Sequence, residues 1–382
     1  MSEILHIKNF GPIKDVKLEL KKVNILIGDQ GTGKSTVAKL LAVIKEVLDH
    51  SEIKLFINGE DASKQQRTQF FEEKFKKNLE DYGITNYLKQ DTYIEFKGST
   101  NYFTYSGQNI LVQTNPKQEN SKNTRLISFI PAFREAAVFL RDDINAVFAV
   151  GVTLPQMFLY FGQNFSVAKK QKKVFNYKNI LDIEYKFTGR DIIVLKSGDE
   201  IDISEASSAV NSLVPLLTVF DAATESMHSN NYRIYHYLNS PYIIIEEPEL
   251  NCFPATQKKL MEYLISKLKI ENETEYYCNL IIATHSPYIL TSLNNLMYAY
   301  QVGNMESGVH RTAVSDIIPQ QYWVNPDDVS CYLLKKDENG YSIHEDIKDK
   351  EGLIKSSMID SVSRKLNTEF NEIINIEIGV AK

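Results

Sequence analysis

Residues 23–48 constrain the fold more than any other stretch, because three local signals meet there in a fixed order. Val23 to Ile27 is nearly continuous apolar sequence, as a central strand covered on both faces requires. The loop "GDQGTGKST" (28–36) follows. Beyond it, Val37, Leu40, Leu41, Ile44, Val47 and Leu48 repeat with the i, i+3, i+4, i+7 spacing of an amphipathic helix. The loop matches G-x-x-x-x-G-K-S/T at Gly28, Gly33, Lys34 and Ser35, with Gly31 as a third glycine. Glycines let several main-chain N–H groups turn inward on a phosphate, and the helix N-terminus adds its dipole. Lys34 is expected to reach the β- and γ-phosphates, and the Ser35 hydroxyl to ligate Mg2+. The expected ligands are therefore ATP and Mg2+. The expected contact set is Gly28, Asp29, Gln30, Gly31, Thr32, Gly33, Lys34, Ser35 and Thr36.

Two later segments repeat the pattern of an apolar run ending in polar residues. "YIIIEEPE" (242–249) reads as a strand closing on two carboxylates, the Walker B arrangement when it stands beside a phosphate loop. Glu246 is expected in the Mg2+ shell through water, and Glu247 to orient and deprotonate the attacking water. Pro248 cannot continue sheet pairing and turns the chain away. "NLIIATHS" (279–286) places His285 after a third strand, where it can hydrogen-bond a γ-phosphate. His6, His50, His228, His236, His310 and His344 show no metal or triad spacing. Between these strands Leu260, Met261, Leu264, Ile265 and Leu268 share a helix face. Strands alternating with helices predict an α/β fold with a mixed, mainly parallel sheet.

The rest of the chain divides around that core. Val16, Leu18 and Leu20 alternate with charged residues, so a half-buried strand precedes the loop strand. Residues 46–124 are rich in Lys, Glu, Gln and Asn and are expected to form an inserted helix-plus-hairpin lobe with a polar boundary near 114–124. A hairpin is expected at 183–203 and a helix at about 208–222. Residues 301–382 are expected to add a few strands, then a terminal helix with Ile359, Val362, Leu366 and Phe370 on one face, as a small accessory region.

Four blocks in order, "IKNFGPI", "VNILIGDQGTGKST", "IIIEEPE" and "IIATHSPYIL", resemble the ABC-type ATPase heads of the OLD-like family. That family is akin to SMC and DNA-repair ATPases and includes bacterial antiphage ATPases. The likeness covers about 1–45 and 125–300, the discontinuous head, and is weak elsewhere. It implies a nucleotide sandwiched between two heads, each lending a signature motif to the other's ATP. The candidate signature is "SEASSAVNSLVPLL" (204–217), with Ser207 and Ser208 at a helix start. A plain N-cap of a core helix is the competing reading. Ala209 stands where the family usually has glycine, and Glu246 where Walker B usually has aspartate. The resemblance further implies a homodimer or higher homo-oligomer that controls a separate effector, a nuclease or a toxin, in antiphage defence or DNA surveillance. An ATP-binding sensor or scaffold without turnover is the alternative, and the motor subunit of an ABC transporter a weaker one.

Composition limits the remaining readings. The chain has 382 residues and a net charge of −6, which argues against coating nucleic acid through bulk charge. The run "KKQKK" (169–173) with Phe175 and Tyr177 is either a local nucleic-acid contact or a solvated loop, the second being commoner. Arg134 in "FIPAFRE" is either a contact to phosphate or the partner head, or a surface ion-pair residue. Cys252, Cys278 and Cys331 stand too far apart for a disulfide framework or zinc site. No window reaches the ~20 apolar residues of a membrane span, and the start lacks a signal-peptide pattern. A cytoplasmic protein with no membrane partner is expected.

Overall fold

Alternation builds the first hairpin. In β1 (Glu3–Phe10) and β2 (Ile13–Leu20), Leu5, Ile7, Val16 and Leu18 point into one core while Lys14, Lys17 and Glu19 face water. The computed structural model describes residues 3–48, 64–98, 101–107, 109–114, 127–140, 154–228, 242–269, 276, 278–305 and 310–355. The expected terminal helix and most of the polar boundary near 114–124 lie outside them.

β3 (Val23–Ile27) is buried from Val23 to Leu26 and leads through the glycine loop into α1 (Lys34–Val47). Every apolar position of the predicted helix face, from Val37 to Leu48, is buried. The buried amide of Asn24, the one polar residue in β3, accepts from the Lys21 N–H (2.7 Å) and the Ser330 hydroxyl (2.7 Å) and donates to the Lys21 (2.7 Å) and Leu280 (3.1 Å) carbonyls. A buried amide so satisfied fixes strand register instead of costing stability.

The described part of the segment 46–124, expected as a separate lobe, joins the same sheet. α2 (Lys64–Asp81) precedes β4 (Tyr93–Lys97), β5 (Asn101–Ser106) and β6 (Asn109–Thr114), and β4 pairs antiparallel with β1 from Ile4↔Lys97 to Lys8↔Tyr93. The physical reason is the open edge of β1, which needs a partner. Phe96 and Phe103 then share one core with Leu5, Leu41 and, from α2, Phe75.

Apart from short helical turns, the remaining elements are β7 (Ile127–Ile130), α3 (Gln156–Lys172), β8 (Val174–Tyr177), β9 (Ile183–Phe187), β10 (Asp191–Val194) and β11 (Glu200–Asp202), followed by α4 (Ser208–His228) and β12 (Tyr242–Glu246). After them come α5 (Pro254–Leu268), β13 (Asn279–Thr284), α6 (Pro287–Gly303), α7 (His310–Ile317), β14 (Val329–Lys336) and β15 (Ser342–Asp346). The main sheet has eleven strands in the order β6-β5-β4-β1-β2-β15-β14-β3-β13-β12-β7. It is mixed: β14, β3, β13, β12 and β7 run parallel, while β6 to β2 form an antiparallel meander. β8 to β11 form a second, antiparallel sheet at the expected hairpin.

The C-terminal strands are central, which corrects their reading as an accessory region. β14 pairs parallel with β3 from Val329↔Val23 to Leu333↔Ile27. "VSCYLL" is apolar enough to be covered on both faces, as a strand in the middle of a parallel sheet must be. Helices α1 and α2 cover one face of the sheet, and α3 to α6 the other, giving two cores and an α/β fold in three layers. Among the described residues no helix is long and apolar enough to cross a membrane, and all three cysteines are free thiols.

Candidate nucleotide site

Register assembles the site. β3 pairs with β13 through Ile27↔Thr284, and β12 with β13 through Glu246↔Ala283. The glycine loop, Glu247 and His285 therefore leave the sheet side by side at the carboxyl ends of three adjacent parallel strands, where open α/β sheets bind ligands.

The loop is held from two sides. A Cβ on Gly28 would sit 2.1 Å from the Leu334 carbonyl oxygen of β14, so only glycine fits beneath that strand. Gly33, at the N-cap of α1, has φ +87°, a left-handed conformation that side chains resist. Thr32 closes the loop by donating its hydroxyl to the Asp29 carbonyl (2.8 Å). Asp29, Gln30 and Gly31 are exposed, Ser35 faces the opening, and Thr32 and Thr36 are buried. No acidic residue occupies the first turn of α1, so its positive end is free for an anion.

Lys34 is drawn back into this loop. Its ammonium donates to the carbonyls of Gly28 (2.7 Å) and Asp29 (2.8 Å) and to Nδ1 of His285 (3.3 Å). Lysine only donates, so Nδ1 is the acceptor in this contact. Nε2 lies 3.6 Å from the Glu247 carboxylate. The structure thus brings Lys34, His285 and Glu247 together.

Burial lowers the Lys34 pKa to about 8, against the pull of Glu247, Asp29 and Glu249. A bound polyphosphate favours the ammonium and raises that pKa. Affinity for ATP is then complete below about pH 8 and is lost as the pH climbs through the interval between the free and bound pKa. Titration calorimetry at pH 9, in two buffers of different ionisation enthalpy, should record uptake of about one proton per ATP. Equal affinities at pH 7.5 and pH 9 would sink this expectation.

Glu246 is buried, and its Oε1 has no hydrogen-bond partner. Oε2 accepts from the Ala132 N–H at 3.4 Å. Burial raises its pKa, while Lys39, the Ser35 hydroxyl and Ala132 act the other way. A buried, unpartnered carboxylate oxygen beside a serine hydroxyl is the donor set a small hard cation takes. Ser35 and Glu246 therefore fit Mg2+ held jointly with phosphate. Among the described residues no group of three His, Cys, Asp or Glu forms an all-protein metal cage.

Glu247 has φ +45°, which costs a non-glycine residue about 1–3 kcal/mol and persists only where neighbours over-determine it. Its N–H donates to the Ala283 carbonyl (2.7 Å), and its carbonyl accepts from Leu250 (3.1 Å). Two residues absent from the expected site complete it. Glu249 Oε1 accepts from the His285 main-chain N–H (2.7 Å), so the third carboxylate of "EEPE" holds the histidine loop. Arg134, read from sequence as a phosphate or partner contact or a surface residue, is neither. It is fully buried, and among the described residues its guanidinium donates only to main-chain carbonyls. Carbonyl partners carry no side-chain signature, so no motif announces this role.

Ser207 and Ser208 are exposed at the start of α4. The Ser207 hydroxyl accepts from Val210 N–H at 3.4 Å, and no hydrogen bond joins either serine to the glycine loop among the described residues. The basic run is corrected: Lys169 is buried against Asp191 (2.8 Å), Lys172 pairs with Glu225, and Phe175 and Tyr177 lie in the core. Those rings cannot stack on bases.

The AAA ATPase domain family matches residues 1–135 and 118–290. No curated protein matches the chain. Similar solved structures include the SMC head domain from Thermotoga maritima, 11% identical, covering 91% of this chain and 99% of that one, with a TM-score of 0.42. Another is the Smc head domain with an extended coiled coil bound to the C-terminal domain of ScpA, from Pyrococcus furiosus, 11% identical, covering 97% and 99%, with a TM-score of 0.40. A third, an SmcHead bound to the C-winged helix domain of ScpA, is 12% identical over 92% and 98%, with a TM-score of 0.39.

Proposed function

The chain belongs to the AAA ATPase domain family, and from that premise we propose that it binds Mg-ATP, hydrolyses it, and closes as a homodimer around the nucleotide. One observation carries the reading. The Glu247 carboxylate sits 3.6 Å from His285, which in turn receives a hydrogen bond from the loop lysine. A base, a hydrogen-bonding imidazole and a phosphate-seeking cation converge on the place where a γ-phosphate would lie.

In this mechanism the loop N–H groups and the α1 terminus cradle the β-phosphate, and Lys34 gives up the Gly28 and Asp29 carbonyls for phosphate oxygens. Ser35 and Glu246 hold Mg2+, which supplies charge neutralisation on the transferred group when bound. Glu247 accepts the proton of the attacking water, and His285 orients the water and the γ-phosphate through its ring nitrogens. Ser207 and Ser208, at the exposed end of α4, act on the ATP of a second copy. The head signals to a separate effector, a nuclease or toxin, in antiphage defence or DNA surveillance. That last step rests on the OLD-like resemblance.

Light scattering after gel filtration, with and without Mg-ATP, tests closure. Mass should double with ATP, and Ser208→Arg should keep the chain monomeric while leaving affinity for ATP intact. A monomer that stays monomeric in saturating ATP would remove the sandwich. Ala209 supports a second reading, a sensor that binds ATP without turning it over. A dimer that forms but releases no phosphate would select it.

A further inference from the structure

We propose that Arg134 is the positioning residue of this site: its guanidinium holds Glu247 in the left-handed turn and ties that turn to α4. The proposal rests on Glu247 being the base.

The guanidinium has five N–H groups, and each ends on a main-chain carbonyl. Nε donates to Ser212 (3.0 Å), Nη1 to Pro131 (3.3 Å) and Glu246 (2.9 Å), and Nη2 to Glu247 (3.0 Å) and Pro248 (3.4 Å). Successive carbonyls in an extended strand point to opposite sides. Those of Glu246, Glu247 and Pro248 converge on one cation only because the chain turns at Glu247 with φ +45°. The cation and the turn therefore require each other. Removing the fork leaves three carbonyls facing one another, and the turn relaxes toward ordinary backbone, carrying the Glu247 carboxylate with it.

The fifth donor reaches a different element. Ser212 lies one turn into α4, the helix that begins at the candidate signature serines. Pro215 lacks an N–H, so the Asn211 carbonyl, next to that of Ser212, loses its usual helical donor. Arg134 donates into this stretch. A displacement of the α4 terminus, such as a second copy's phosphate would cause at Ser207, is thereby passed to the carbonyls that set the base. Burial lowers the Arg134 pKa only to about 10, so the fork stays charged at neutral pH. Lysine cannot substitute, because its three donors share one atom and do not span five carbonyls.

The test is steady-state turnover by the full chain as wild type, Arg134→Lys, Glu247→Gln and the double variant. Arg134→Lys should lower kcat by roughly 10²-fold, the cost of misplacing a catalytic group by about 1 Å, with KM for ATP within threefold. The double variant should match Glu247→Gln alone, since nothing is left to position. A kcat within threefold of wild type for Arg134→Lys, or additive losses in the double variant, would overturn the proposal and leave the base intact. Absence of turnover in the wild type would overturn the hydrolysis reading, and this proposal with it. Amide exchange on the wild type covers a variant that folds poorly. The Leu250 N–H, bonded to Glu247, and the Asn211 N–H, bonded to Ser207, should gain protection together on adding ATP. Any other pattern overturns the link.

Discussion

A Glu247→Gln chain is expected to bind ATP and keep it. Glutamine has the shape of glutamate, so the turn at φ +45° and its Arg134 clamp remain as they are. What is lost is the capacity to take a proton, and general-base catalysis is typically worth 10²–10⁴-fold in rate. In the proposed site the phosphate contacts come from the loop and from Lys34, so affinity should stay within a few-fold. With the exit reaction blocked, the ATP-closed dimer should become long-lived. Single-turnover assays with labelled ATP, read beside light scattering, check both halves. Wild-type turnover in this variant would remove Glu247 as the base.

Lys34→Ala should abolish ATP binding at concentrations that saturate the wild type. The ammonium is buried, and its donors reach the loop carbonyls of Gly28 and Asp29 and the His285 ring. Hydrogen bonds to charged groups are worth about 1.5–3 kcal/mol each, and two of them moving to phosphate correspond to a loss of roughly 10²-fold or more in affinity. Lys34→Met keeps most of the volume and guards against a packing defect. The readout is thermal unfolding. At 100 Kd, ATP should stabilise the wild type by about 2.7 kcal/mol, a rise of several degrees in Tm, and neither variant should show it. A full ATP-induced shift in Lys34→Met would displace Lys34 from the site.

Which of these features were legible beforehand follows from how local their causes are. The glycine loop, the Glu246-Glu247 strand end and His285 were legible because each lies in one short segment whose apolar run, turn and polar end obey local rules. Ser207 was legible in both its readings, and the cap geometry is visible while the trans role rests with a second copy. The strands 93–114 and 329–346 were visible as strands but not as members of the main sheet. Pairing partners such as Ile4↔Lys97 and Val23↔Val329 are set by which edges remain open, a property of the assembled sheet. Lys169 and Lys172 looked like a basic surface run because the acids that pair with them, Asp191 and Glu225, are distant in sequence.

The sequence by itself therefore determined which groups are available: a glycine loop with its lysine, two carboxylates and a histidine, at the ends of three apolar strands. Only the tertiary structure decided how those groups are held. The Leu334 carbonyl lies 2.1 Å from where a Gly28 Cβ would stand, Glu249 holds the His285 loop, and Arg134 spends all five donors on carbonyls. These contacts run through main-chain atoms, which every residue carries alike. Nothing in the order of side chains can encode them until the strands are in register.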